Sequence, residues 1–151
     1  MNSQGSIHAD EAAVCALYHR LLDCWNRRCA TDFAHLFAND GSVVAFDGSQ
    51  INGQAEISQH LRQIFADEPP AAYVGKIKDV RLLTHGAGMV RAVVGTIPPG
   101  QSRLNPETNA IQSMIAEKRN GKWRVVHFQN TPAQFRPDLL EALTDELQLL
   151  L

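Results

Sequence analysis

No apolar run in this 151-residue chain approaches the ~18 residues of a membrane-spanning helix, so a membrane is not an expected partner. Charge of one sign is equally scarce. Lys+Arg 14 against Asp+Glu 16 leave a formal net charge of −2. Arg27 and Arg28 are the only adjacent arginines, so no basic stripe tracks a phosphate backbone and nucleic acid is not an expected partner either. The polar stretch from Met1 to Glu11 lacks the apolar core of a signal peptide, which points to the cytoplasm. The three cysteines, Cys15, Cys24 and Cys29, are odd in number and form no Cys-x-x-Cys pair, as suits a reduced compartment. G-x-S-x-G, G-x-G-x-x-G and P-loop motifs are missing, and the six histidines show no metal-ligand spacing. No cofactor is therefore expected: not NAD, flavin, ATP or zinc.

What is present is an ordinary globular composition. Hydrophobic residues make up 44% and charged residues 20% of the chain, which excludes a disordered one. A domain of this length buries roughly 68–70% of its unfolded surface and needs no metal or disulfide staple. No repeat or linker divides residues 1–151, so one domain is expected, with 132–151 as a helical extension.

Apolar spacing of three and four from Val14 through Trp25 predicts a helix over Ala12–Arg28. Thr31 can cap a second short helix running through Phe37. Asn39-Asp40-Gly41 reads as a turn, Ser42–Phe46 as a strand and Asp47–Asn52 as a polar loop. A third helix spans about Gly53 to Phe65 and stops before Pro69 and Pro70. Strands follow over Lys76–Thr84, Met89–Ile97, Ala110–Arg119 and Lys122–Thr131, the last two joined by the hairpin signal Asn120-Gly121. Pro137 opens a leucine-rich C-terminal helix that must dock on the body of the protein or on a partner, or else act as a lid. Helices grouped before a strand meander mean an α+β class, with helices on one face of a curved sheet. The other face, carrying Val125, His127 and Ile115 near Trp123, is left for a second copy of the chain, so a homodimer is expected.

Several runs in this order resemble a known family. They are Cys24-Trp25-Asn26, Asp32 through Gly41 (DFAHLFANDG), Gly53 with Ile57 and His60, and Asn120 through Val125 followed by Phe128-Gln129-Asn130-Thr131. Together they resemble the SgcJ/EcaC-type family of the NTF2-like superfamily, relatives of the SnoaL-like and DUF4440 domains. Cys29 departs from that pattern, where many relatives carry Asp. The resemblance implies an NTF2-like (cystatin-like) cone with a deep pocket between helices and concave sheet, commonly as a homodimer. It implies no particular reaction.

Against the ketosteroid isomerase branch, the position of the general base is Ala45, whose methyl group cannot accept a proton. Asp47 could reach the pocket rim, or else cap its own turn beside Gly48. His60 could edge into the pocket as a titratable group, or lie on the helix surface. These two are the catalytic candidates. A two-residue Asn120-Gly121 turn would place Gln112 opposite Gln129, whereas a three-residue turn with a glycine bulge places Gln112 opposite Phe128. The bulged register is preferred, because similar assembly domains of calmodulin-dependent kinase turn an Arg inward where this chain has Asn130. The expected lining is then Leu21, Trp25, Ile57, Phe65, Val94, Gln112, Met114, Val126, Phe128 and Asn130. Such a cavity suits a small hydrophobic molecule. The sequence leaves open whether the protein binds that molecule or acts on it as a small cofactor-independent isomerase, cyclase, dehydratase or hydrolase.

Overall fold

Helix α1 (Ser3–Asn26) sets the frame, because Val14, Leu17, Tyr18 and Leu21 on one stripe are all 0% exposed. The computed structural model describes residues 3–67 and 69–151; Met1, Asn2 and Glu68 lie outside the described residues. α1 begins well before the expected Ala12, since the polar residues ahead of the stripe hold no proline and need no core to face. It ends at Asn26 because Arg28 takes a left-handed φ of 57°. The short α2 (Ala30–His35) starts from Cys29 without a side-chain cap, not from Thr31.

The strands are β1 (Phe37–Val44), β2 (Gln50–Asn52), β3 (Ala72–Thr84), β4 (Ala87–Ile97), β5 (Ala110–Arg119) and β6 (Lys122–Pro132). Helix α3 (Gln54–Asp67) lies between β2 and β3, and α4 (Pro137–Gln148) closes the chain. The six strands form one mixed sheet in the order β2-β1-β6-β5-β4-β3, with β1 and β6 parallel and every other pair antiparallel. The α+β class expected from the sequence is the class observed. Two local expectations fail. Asn39-Asp40-Gly41 is no turn but lies inside β1, where the pairing with β6 slips between Phe37 and Ser42. The expected loop Asp47–Asn52 contains the edge strand β2.

The β5–β6 hairpin departs from both expected registers. Asn120 (φ 53°) and Gly121 (φ 75°) form a two-residue turn, with Arg119 opposite Lys122. A bulge then falls at Val126: Ala116 faces Val125, while Ile115 faces His127. Because side chains alternate along a strand, the extra residue changes which positions of β6 point inward. Val125 (0% exposed) is therefore core before the bulge, and Phe128 and Asn130 are inward after it. Val126 is only half-buried at the bulge itself, so it does not line the interior as expected. Trp123 and Val125 likewise belong to the helix-covered core and not to the outer face.

Helix α4 straps the opposite face of the sheet. Leu143 and Leu147 bury against Val74, Val93, Ile97, Leu104 and Phe135, while Lys76 and Lys78 pair with Glu146. Leu139 and Leu150 of the same C-terminal segment remain exposed.

Helix α1 approaches the sheet closely at Gly75 of β3. A Cβ there would stand 2.6 Å from Leu22 Cδ1, 2.8 Å from the Tyr18 hydroxyl and 3.2 Å from Val94 Cγ1. Gly75→Ala should therefore destabilise the protein by about 1–3 kcal/mol through overpacking. Thermal denaturation checks this, and an unchanged Tm would show that Leu22 and Tyr18 yield without cost.

Candidate functional site

Between the helices and the sheet lies a cavity of about 360 Å³. α1 contributes Leu22 and Trp25, α2 contributes Phe33, and α3 contributes Ile57, His60, Leu61 and Ile64 at helical spacing. The sheet side adds Val43, Ile51, Tyr73, Phe128 and Asn130, and the β1–β2 turn adds Ala45, Phe46 and Asp47. Most of this surface is apolar.

Of the expected lining, Trp25, Ile57, Phe128 and Asn130 are brought together, as are Asp47 and His60. Phe65 stands one position round α3 from the cavity and instead props the Trp25 ring edge-on at 5.3 Å. Leu21, Val94 and Met114 are 0% exposed in the core and do not reach the cavity. Gln112, also 0% exposed, sits behind the cavity wall as a partner of Asn130.

That pairing belongs to a buried relay. The Tyr18 hydroxyl donates to Gln112 Oε1 at 2.7 Å, Gln112 Nε2 donates to Asn130 Oδ1 at 3.3 Å, and Asn130 Nδ2 donates to the Tyr73 hydroxyl oxygen at 2.9 Å. The chain has only two tyrosines, and they are the two ends of this relay. Burial pushes the Tyr73 phenol up to about 12, with the Asn130 hydrogen bond pulling weakly the other way. Burial also raises the Tyr18 phenol, and Tyr73 adds to the effect.

The last turn of α1 fixes Tyr73. Asn26 Oδ1 accepts from the Tyr73 backbone N–H at 2.8 Å, and Asn26 Nδ2 donates to the Tyr73 carbonyl at 3.0 Å, in the manner of a neighbouring strand. Trp25 Nε1 donates to the Ala71 carbonyl at 3.0 Å, and its ring lies 5.0 Å from that of Tyr73. Sequence reasoning missed Tyr73 because Gly75 interrupts the apolar alternation and hides the beginning of β3. The signal that could have found it is the Cys24-Trp25-Asn26 run, whose polar groups need partners.

The titratable groups at the rim are less suited to chemistry. Asp47 is exposed, and its Oδ1 accepts from the Ser49 backbone N–H at 2.9 Å, so it caps its own turn. The Ser49 backbone N–H, then the Ser49 hydroxyl, hold this carboxyl below the usual range. His60 is half-buried. Burial raises the Cys24 thiol despite the nearby Arg27, which is the opposite of an activated nucleophile. Among the described residues no three His, Cys, Asp or Glu side chains gather as a metal site.

Helices packed on a strongly bent mixed sheet around such a cavity define a cystatin-like, NTF2-like fold. The SnoaL-like domain profile matches residues 7–129, and the chain belongs to that family. Among solved structures it is similar to a domain of unknown function with a cystatin-like fold from Nostoc punctiforme, at 24% identity and a TM-score of 0.78 over 91% of this chain and 85% of that one. It is similar to an NTF2-like protein from Novosphingobium aromaticivorans, at 16% identity and a TM-score of 0.71 over 96% and 92%. A ketosteroid isomerase-like protein from Erwinia carotovora atroseptica aligns at 15% identity and a TM-score of 0.66 over 82% and 96%. No curated protein matches. Likeness at these identities shows the fold alone.

The raised Tyr73 phenol carries a pH dependence. Its folded value of about 12 exceeds the ordinary value of about 10, so the folded state holds its proton where the unfolded chain has released it. That stability is complete below pH ~10 and is lost as pH rises toward ~12. Tyr73→Phe should therefore flatten the fall in stability over that window, measured by denaturant titration at alkaline pH.

Proposed function

We propose that this protein binds a small hydrophobic molecule in the cavity between α1, α3 and the sheet. The observation that carries the reading is the lining itself: a large apolar surface into which only a few polar groups project. The carboxylate nearest the cavity is exposed and committed to Ser49, and Ala45 replaces the base that the isomerase resemblance would require. A second reading, a cofactor-independent enzyme, rests on His60, which lines the same cavity as Tyr73. A bound ligand atom within ~3.2 Å of the His60 imidazole would favour it.

Within the SnoaL-like family, the Cys24-Trp25-Asn26 and Asn120–Thr131 runs support a place beside the SgcJ/EcaC-type and DUF4440 relatives. The three free cysteines and the absence, among the described residues, of a helix long and apolar enough to cross a membrane support the cytoplasmic reading.

The binding test uses a neutral apolar fluorophore such as Nile red. It should bind saturably at one site, and Ala45→Trp, which fills the cavity from the β1–β2 turn, should abolish binding while leaving the Tm near that of the parent. Unsaturable binding, or binding indifferent to the substitution, would overturn the reading.

A homodimer is proposed as well, through the part of the outer face that α4 leaves open. Ile111 (41% exposed), Ile115 and His127 lie there, and His127 Nδ1 is 2.8 Å from Ser42 Oγ. A stable pair buries roughly 1,200–2,000 Å² in total. Light scattering at micromolar concentration should report twice the chain mass, and Ile111→Arg with Ile115→Arg should halve it. A monomeric parent protein would sink this proposal.

A further inference from the structure

We propose that Tyr73 recognises the polar end of the ligand as an obligate hydrogen-bond donor, so that the cavity selects neutral molecules ending in a carbonyl group. This rests on the ligand-binding reading and deepens it.

The end of the relay farthest from the cavity sets its direction. Tyr18 is 0% exposed, and the acceptor for its O–H is Gln112 Oε1. A buried hydroxyl without an acceptor is strongly disfavoured, so this bond fixes which way the Gln112 amide faces. With Oε1 committed to Tyr18, Gln112 presents Nε2 to Asn130, and Asn130 must answer with Oδ1. Its Nδ2 then faces Tyr73, whose oxygen accepts. Flipping both amides would reverse every bond and leave the Tyr18 O–H unsatisfied in the core. The relay therefore has one direction, set from inside. At its far end the Tyr73 proton has no acceptor within the relay, and Tyr73 lines the cavity. Burial keeps that proton in place at neutral pH, since the phenol is raised to about 12. One Asn130 Nδ2 hydrogen is also left over beside it.

Two neutral donors with no acceptor between them suit an acceptor-only group. A ligand alcohol could accept from Tyr73, but its own proton would have to share Asn130 Oδ1 with Gln112 Nε2 as a second donor. A carboxylate would be stripped of water in an apolar cavity whose rim carries the Asp47 carboxylate. A ketone, aldehyde or ester oxygen has two lone pairs and no proton to place. It fits.

The test compares methyl naphthyl ketone with ethylnaphthalene and naphthylethanol, which share its ring system, by titration against the full chain. The parent protein should bind the ketone about tenfold tighter than either analogue. Tyr73→Phe retains the ring against Trp25 and should erase that preference while leaving ethylnaphthalene affinity within about twofold. The infrared carbonyl stretch of the bound ketone should sit lower in the parent than in Tyr73→Phe, and the parent value alone, set against the stretch in hydrocarbon solvent, remains decisive if the variant fails to fold. Equal affinity for ketone and hydrocarbon, or an unshifted carbonyl stretch, would overturn the donor assignment while the binding reading stands. Failure of all three probes to bind would overturn both.

Discussion

One extra residue in one strand decides what the interior can do. Without the bulge at Val126, the two-residue Asn120-Gly121 turn would place Gln112 opposite Gln129, and Asn130 would point away from the helices. With it, Asn130 stands opposite Gln112 on the covered face, and the relay from Tyr18 to Tyr73 can close. β1 carries an irregularity of its own beside this bulge, since its pairing with β6 slips between Phe37 and Ser42. Asn39, Asp40 and Gly41 lie within that slip. The bulge thus links the Asn120-Gly121 turn and the slipped pairing of β1 to a buried polar network.

The relay also ties layers together that apolar packing alone would leave free to slide. Its groups come from α1, β5, β6 and β3 in turn, so each hydrogen bond crosses from one element to the next. Asn26 and Trp25 make the return connection, from the last turn of α1 back to the backbone at the start of β3. Gly75 permits the approach, because any side chain there would strike Leu22 and the Tyr18 hydroxyl. An orphaned member of such a network costs about 1–3 kcal/mol, which gives the arrangement far more weight than its few bonds suggest.

The element order, the sheet and the amphipathic faces were legible because period and turn chemistry are local signals. Ile57 and Trp25 are placed inward on that basis, whereas Phe128 and Asn130 are placed inward only through the resemblance to the kinase assembly domains, in a register that the hairpin does not adopt. Gln112 and Met114 were given the correct face, but parity along a strand says nothing of depth, and both lie behind the cavity wall. Phe65 was misplaced by about one residue of helix rotation, which exchanges it with Ile64. The bulge was expected at the turn and occurs instead at Val126, a residue with no local mark, since Val suits either a regular strand or a bulge. Tyr73 was invisible for a related reason: its role depends on Asn26 and Asn130, which are far from it in sequence and meet it only in the fold.

The distribution of polarity inside the molecule supports the proposed binding reading. A general base near neutral pH needs a carboxylate or imidazole aimed at the substrate, and the buried relay instead ends in a neutral phenol held by a neutral amide. Its two amides carry no ionisable proton, and the bond at Tyr18 fixes their orientation, so the relay can orient a dipole but cannot release or accept a net proton at neutral pH. Specificity in a cavity of this kind comes from leaving a fixed donor unpaired when the wrong ligand enters, because the loss of that bond is felt most where water is excluded. On the proposed reading, a fixed donor at one end and an apolar wall elsewhere would discriminate sharply in functional group and loosely in carbon skeleton.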